Sequence, residues 1–424
     1  MRLPILTVAL MSALLIAPSA SHAAKPWGAA ETVSRAPGTP AVALGPDGRA
    51  AIVWGARGKA YGARRSATRG FGRPFSLYGE QIADADPAVA FDRDGNALFA
   101  FRRLLESNHR ILAATLRPSG SRTSAFSLSG PGSSANRPTF ATPPAGTLSA
   151  LPTLAWWRRE GPPGGEPSRV QFARSVGGRL LVAENDTLPG GAQATYAELP
   201  DGSVVAATTT LGVASIATRP PGGALSAPQP VSSHTRSFWG ADVATGPDGT
   251  VAVAWRDGDG GINRIFVAIR RPGATAFDAP VLLSVARDYA LDPRVVVTVG
   301  GVVRVAYLAR GQGKQSDGGQ LRLATPGGPS LTVTPGAQVA RAFDIAADGR
   351  GGVTLAWTRQ ESGHVGGAAF ARAARPDGVL GSVRTLTSAA ERARDLDLAA
   401  GIRGEALAAW HSGSRLRAAY RPRS

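Results

Sequence analysis

PAVALGPDGRAAIVW, Pro40–Trp54, reads as an alternating strand, a tight turn and a second, more apolar strand. Asp-Gly supplies the residues that tolerate positive φ in a short hairpin. The unit returns as PAVAFDRDGNALFAF (87–101), YAELPDGSVVAAT (196–208) and ADVATGPDGTVAVAW (241–255), with FDIAADGRGGVTLAW (343–357) as a variant. Weaker copies are TFATPPAGTLSALPTLAW (139–156), RVVVTVGGVVRVAY (294–307) and LDLAAGIRGEALAAW (396–410). The second strand of each copy reaches a marker residue: Trp54, Phe101, Trp156, Thr208, Trp255, Tyr307, Trp357 or Trp410. The sequence alone predicts that the second strand ends there, that the aromatic markers pack between repeats, and that Asp47, Asp94, Asp201, Asp248 and Asp348 are turn formers.

After each marker come a variable loop, a third strand, a turn and a short fourth strand. RPFSL (73–77), SAFSLS (124–129), SAPQPVS (226–232), FDAPVLLS (277–284) and GSVRTLTS (381–388) are such fourth strands. Four antiparallel strands recurring at this spacing make an all-β chain, a single β-propeller of eight blades. The eighth repeat runs out at LRAAYRPRS (416–424) with only three strands. KPWGAAETVS (25–34) matches the missing one, so the N-terminal strand is expected to complete the last blade and remove an unpaired sheet edge.

The extreme N-terminus, MRLPILTVALMSALLIAPSASHA, has one basic residue, an apolar run and small residues before a cleavage point. It is expected to be a secretory signal peptide over 1–23, leaving 24–424 as the propeller domain and a secreted or periplasmic protein. No other apolar stretch reaches the roughly 20 residues of a spanning helix. The chain has no cysteine, which excludes disulfides. Its formal net charge is +17, and of 47 basic residues only Lys25, Lys59 and Lys314 are lysines. Arginine forks suit carboxylates and sulfate or phosphate groups. An exported chain without stacking-aromatic motifs argues against nucleic acid as partner.

With this repeat, the chain resembles the secreted bacterial β-propellers, among them the sialidase-like and NHL-like repeat proteins. A sialidase Asp-box reads roughly Ser-x-Asp-x-Gly-x-x-Trp and sits between the third and fourth strands. Here the Asp-Gly turn joins the first and second strands, and no serine stands two residues before Asp47, Asp94 or Asp248. The arginine triad and Tyr/Glu pair of that family find no motif here onto which to be carried.

Ligands are expected on the face shared by the loops from second to third and from fourth to first strand. Just past the markers stand Arg57, Arg102, Arg158, Arg256, Arg310 and Arg359, with His411 in the last repeat. The candidate ligand-binding set is Arg102, Arg158, Arg256, Arg310 and Arg359 with the extra-repeat aromatics Trp157, Trp239 and Tyr289. Converging arginines focus a field on anions. Each arginine could equally cap a strand and snorkel into water. Glu106, Glu160, Glu361, Asp257 and Asp288 are loop-face carboxylates of the kind a glycosidase pairs. The stretch Asp257–Asn263 is similar to a calcium-loop fragment but has no distal glutamate. His109, His234, His364 and His411 share no metal spacing, so no metal and no cofactor is expected.

These readings favour an exported, non-enzymatic, monomeric propeller that binds an anionic glycan, an envelope polymer or a protein through its loop face. The alternatives are a propeller-type glycoside hydrolase or lyase, sialidase-like, and a structural scaffold.

Overall fold

The computed structural model describes residues 25–36, 38–78, 86–105, 108–130, 134–159, 169–188, 193–210, 212–232, 239–259, 262–285, 288–311, 318–359 and 366–423. The expected signal peptide, Glu106, Glu160, Glu361, His234 and His364 lie outside the described residues.

Eight four-stranded antiparallel sheets follow one another along the chain, and together they form a β-propeller. In the first blade Pro40–Leu44 is innermost, followed outward by Ala50–Ala56, Lys59–Arg65 and Phe75–Tyr78. The second strand of each blade is sandwiched on both faces, which is why it reads as a continuous apolar run rather than an alternating one. Ala50–Val53 and Trp54 are fully buried, as are Ala406–Trp410 in the last blade.

Every aromatic marker packs against the blade before its own. Trp54 lies in one cluster with Leu407, Ala409 and Leu416 of blade eight. Trp255 meets Val205 and Ile216 of blade four, Trp357 meets Leu308 and Leu321 of blade six, and Trp410 meets Ala356 and Ala371 of blade seven. Blade four has Thr208 at the marker. There Tyr196 fills the gap, meeting Phe172 of blade three edge-on at 5.9 Å between ring centres. Removing one such buried aromatic costs about 3–5 kcal/mol. The Asp-Gly turns also form as read: Asp201 accepts a hydrogen bond from the Ser203 amide, and Asp348 accepts from those of Arg350 and Gly352.

The last blade closes as the repeat count requires. Glu31–Ser34 pairs antiparallel with Arg415–Arg421, with Glu31 opposite Ala418 and Thr32 opposite Arg417. The Gly28 amide donates to the Tyr420 carbonyl at 2.9 Å, and the Arg417 guanidinium donates to the Ala30 carbonyl at 3.0 Å. Val33 is buried in the Trp54 cluster, while Trp27 and Ala30 pack against the Trp410 cluster.

One expectation fails in detail. The second strands do not end at their markers. They run on to Leu105, Arg159, Asp259, Gly311, Arg359 and Ser412. Main-chain pairing continues past the last core-facing ring, because the ladder is held by peptide groups and does not need an apolar side chain at every step. Arg102, Arg158, Arg256, Arg310 and Arg359 therefore sit within strands rather than loops. So do His109, Tyr289 and His411. The described ends of the Asp257–Asn263 stretch belong to a hairpin ladder, Asp257 opposite Arg264 and Gly258 opposite Asn263.

A chain beginning at Arg35 lacks the closing strand. It should lose on the order of 3 kcal/mol or more of stability, since the outer ladder and the Val33 and Trp27 contacts go together. Chemical denaturation read by tryptophan fluorescence checks this. An unchanged midpoint would show that the ring does not depend on this strand.

Candidate functional site at the axial channel

The innermost strands leave a channel along the axis. Its lining includes Ala41, Ala43, Ala88, Thr139, Asp242, Arg294, Asp344 and Asp397, and it encloses about 460 Å³. One residue per blade occupies an equivalent place on the inner strand, opposite the residue before the marker. Around the ring these are Ala41, Ala88, Thr139, Thr195, Asp242, Arg294, Asp344 and Asp397. Half of the ring is therefore small and uncharged, and the other half reads Asp, Arg, Asp, Asp.

The three carboxylates do structural work here. Asp242 Oδ2 accepts a hydrogen bond from the Val295 amide at 2.8 Å, Asp344 Oδ2 from Leu398 at 3.1 Å, and Asp397 Oδ2 from Val42 at 2.7 Å. Each is thus tied to the inner strand of the next blade, and Asp397 spans the junction between blades eight and one. Arg294 stands among them, open to water in the lumen but with protein on all sides. Its guanidinium is held charged by Asp242 and Asp344. Burial raises the Asp242 and Asp344 carboxyls above the usual range, with Arg294 opposing. Asp397 is pushed up well beyond it, by burial and by the negative charge of Asp344. Asp344 and Asp397 are hydrogen-bonded to each other, a contact that pulls the Asp344 carboxyl down and pushes Asp397 up, so Asp397 is the member of the pair that holds a proton to the higher pH.

The channel opens onto the face where first strands begin and second strands end. A wider basin of about 970 Å³ lies there, lined among others by Arg57, Asp86, Arg137, Arg394, Asp395 and His411, with Arg294 below them. The backbone is strained around this rim. Asp86, Arg137, Asp292 and Asp395 have φ of 29°, 50°, 51° and 50°. Each stands two residues before its blade's ring position, and in three of the four blades the strand bulges there: between Asn136 and Thr139, Leu291 and Arg294, Arg394 and Asp397. A left-handed residue that is not glycine costs about 1–3 kcal/mol, and such residues gather at functional sites.

His411 is buried at the rim. Its Nε2 donates to the Gly413 carbonyl at 3.0 Å. Its Nδ1 stands 3.1 Å from Arg394 Nε and 3.5 Å from Asp395 Oδ2. That nitrogen serves one neighbour at a time: it accepts from Arg394 in the neutral ring and donates to Asp395 in the protonated one. The contact with His411, aided by Arg394, holds the Asp395 carboxyl below the usual carboxylate range against the pull of burial.

The opposite end of the channel is shut. The first-to-second-strand connection of blade three is longer than the others, and it crosses beneath the axis. Its Ser149 carbonyl accepts from the Arg93 amide of blade two, and its Ser149 hydroxyl donates to Glu198 of blade four at 2.8 Å. Its tip reaches blades six and seven. A β-carbon at Gly146 would stand 2.6 Å from Gly349 Cα and 2.9 Å from Val299 Cγ2, so only glycine fits. The channel is a blind pit entered from the rim.

The predicted arginines share the rim's face but stand on the second strand, one strand outward from it. Arg102 donates to Asn136 Oδ1 at 2.7 Å and lies 3.3 Å from Asp86. Arg256 lies near Asp292, Tyr289 and Arg310, and burial together with Arg310 lowers its pKa. Arg158 lies opposite Ala135 and Arg359 opposite Ala340; like Arg310, both are half-buried. Tyr289 is opposite Arg310, Trp239 is opposite Arg256, and Trp157 is half-buried with the Arg159 guanidinium 5.5 Å from its ring centre. None of the eight lines the pit or basin, whose cations are Arg57, Arg137, Arg294 and Arg394. The sequence reading missed Asp242, Arg294, Asp344 and Asp397. A signal was present, because each stands thirteen residues before its marker.

Among solved structures, the fold is similar to an ulvan lyase of a polysaccharide lyase family, at 12% identity and a TM-score of 0.51 over 78% of this chain and 90% of that one. An ulvan lyase bound to a GlcA(1-4)Rha3S repeat gives 12% identity and a TM-score of 0.50 over 92% and 94%. The intramolecular trans-sialidase from Ruminococcus gnavus gives 10% identity and a TM-score of 0.43 over 71% and 95%. No family model and no curated protein matches the chain. The likeness establishes the β-propeller architecture. Among the described residues no helix is long and apolar enough to cross a membrane, and no group of three or more His, Cys, Asp or Glu is placed to hold a metal ion.

The proton shared by Asp344 and Asp397 gives a stability test. A carboxyl whose pKa is raised in the folded state contributes fully below its unfolded pKa, about 4, and loses that contribution as pH rises through the folded value. Asp397→Asn keeps the acceptor for Val42 and a donor for Asp344 without the titration. Its melting temperature should gain on the wild type as pH rises above about 4, whereas Asp397→Ala should be less stable at every pH. Parallel pH curves for Asn and wild type would exclude the shared proton.

Proposed function

We propose that this protein acts on an acidic polysaccharide seated over the rim of the pit. The observation that carries this reading is the rim itself: Arg57, Arg137 and Arg394, from blades one, three and eight, line one side of an opening that descends to Arg294, with the carboxylates of Asp86 and Asp395 and the imidazole of His411 among them. Such cations meet carboxylate or sulfate groups by charge-assisted, bidentate contacts. The strained backbone at Arg137 and Asp395 aims side chains at the opening at a cost in stability, as a binding site does.

Binding can lead to cleavage or to retention, and cleavage has more support than the retention expected from the sequence. Two propellers with TM-scores of at least 0.5 are named as polysaccharide lyases, one bound to a glucuronate-containing repeat. Elimination beside a uronate carboxylate needs a cation that neutralises the carboxylate, so that the neighbouring C–H becomes acidic, and a group that moves a proton. The rim holds arginines for the first; its carboxylates Asp86 and Asp395 are placed to take the proton, and water can protonate the departing sugar oxygen. His411, with both ring nitrogens engaged, acts as a positioning residue that orients Arg394 and Asp395. Retention without turnover keeps one observation in its favour, that same engagement of His411. Export, expected from the N-terminal segment, would place the protein where such polymers occur.

The test pairs binding with turnover. Glucuronate and galacturonate polymers and dextran sulfate are titrated by calorimetry at low and physiological salt, and uronate cleavage is monitored by the ultraviolet absorbance of the new conjugated double bond. Replacing Arg57, Arg137 and Arg394 by Ser should weaken binding at least about tenfold in a protein that still unfolds cooperatively, the lost contact of Arg394 with His411 lowering its stability. Binding should weaken as screening shortens to about 8 Å. Replacing Arg117, Arg271 and Arg375, exposed at third-to-fourth-strand turns on the opposite face, should leave binding intact. Equal losses in both triple variants would remove the rim from the reading. Binding without a rise in absorbance would leave retention.

A further inference from the structure

We infer that the pit makes this site selective for the end of a glycan chain. The inference rests on the proposed binding at the rim and adds the form of the ligand. An open groove accepts a chain anywhere along its length, since the polymer enters and leaves at the two ends of the groove. A pit has no exit. Here the exit is closed by the blade-three connection, whose tip lies against Gly349 and Val299 and whose Ser149 is tied to blades two and four. A chain that enters the pit does so by its terminus, with the following sugars lying over the basic rim.

The pit is built to take a sugar unit. Its volume of about 460 Å³ lies inside the range of about 300–1,000 Å³ typical of small-molecule sites. Its two half-walls differ in kind. Ala41, Ala43, Ala88 and Ala90 present small apolar groups suited to the C–H face of a pyranose. Across the ring, Asp242, Arg294, Asp344 and Asp397 present acceptors and donors suited to ring hydroxyls. Arg294 belongs to the lining of both the pit and the basin, so it stands where the terminal sugar meets the rim-bound chain. Thr139, at the ring position of blade three, narrows the same neck and holds none of the inter-blade carboxylates.

The experiment compares oligogalacturonides with the galacturonate polymer on the intact protein, with concentration counted as uronate. One productive contact per chain means that a tenfold longer chain needs about tenfold more uronate for half-saturation. Internal binding predicts a constant or falling requirement, and that result overturns chain-end selectivity while leaving the proposed function standing. Thr139→Trp fills the neck. With the melting temperature unchanged, it should abolish binding of the short oligomers. Undiminished oligomer binding by a folded Thr139→Trp protein would show that the pit is not used. If neither the galacturonate series nor the glucuronate polymer binds the wild type, the chain-end inference falls, and if dextran sulfate does not bind either, the proposed function falls with it.

Discussion

The structure depends on one backbone contact between its two ends: Glu31–Ser34 paired with Arg415–Arg421. The last blade has its full four strands only because the beginning of the chain supplies the outermost one. Without disulfides, nothing covalent substitutes for this ladder. The Arg417 contact to Ala30 and the burial of Val33 beside Trp54 extend closure from hydrogen bonds to packing. Because each marker aromatic packs on the preceding blade, a loss at the seam between blades eight and one deprives Trp54 of Leu407 and Leu416.

The channel wall shows how the same closure makes a site. The carboxylates of Asp242, Asp344 and Asp397 each reach an amide of the next inner strand. These bonds hold neighbouring blades at a fixed distance on the side of the ring where the small alanines of blades one and two are absent. A buried charge without a partner is expensive, and the wall manages its charge by setting Arg294 among the acids and by sharing a proton between Asp344 and Asp397. Polar groups that staple the ring thus also give the pit its polar half. In the rim above them Arg57, Arg137 and Arg394 outnumber Asp86 and Asp395, in a molecule whose formal net charge is +17.

Much of the architecture was legible in the sequence. The Asp-Gly turns, the markers from Trp54 to Trp410 and the three-strand remainder at 396–424 led to eight closed blades, because hairpin turns and two-sided burial leave a local trace that repeats. The site was less legible. Arg102, Arg158, Arg256, Arg310 and Arg359 were read as mouth residues from their distance to the markers. The strands run past those markers, and these arginines lie one strand outward from the rim. Of the cations read just past the markers, Arg57 in its hairpin turn and His411 do line it, and the others there come from a bulge at Arg137 and an inner-strand start at Arg394.

The sequence by itself determined the blade count, the closing strand and the inter-blade role of the marker aromatics, since each arises from local periodicity and from counting strands. Only the tertiary structure decided that Asp242, Arg294, Asp344 and Asp397 face one another and that the blade-three connection seals the far end of the channel. It also decided that Arg57, Arg137, Asp395 and His411 share a rim. Those residues are far apart along the chain and come together because eight sheets close around one axis. Which side chains converge there depends on the register of each inner strand and on where it bulges, and a one-residue shift in register turns a side chain to the other face.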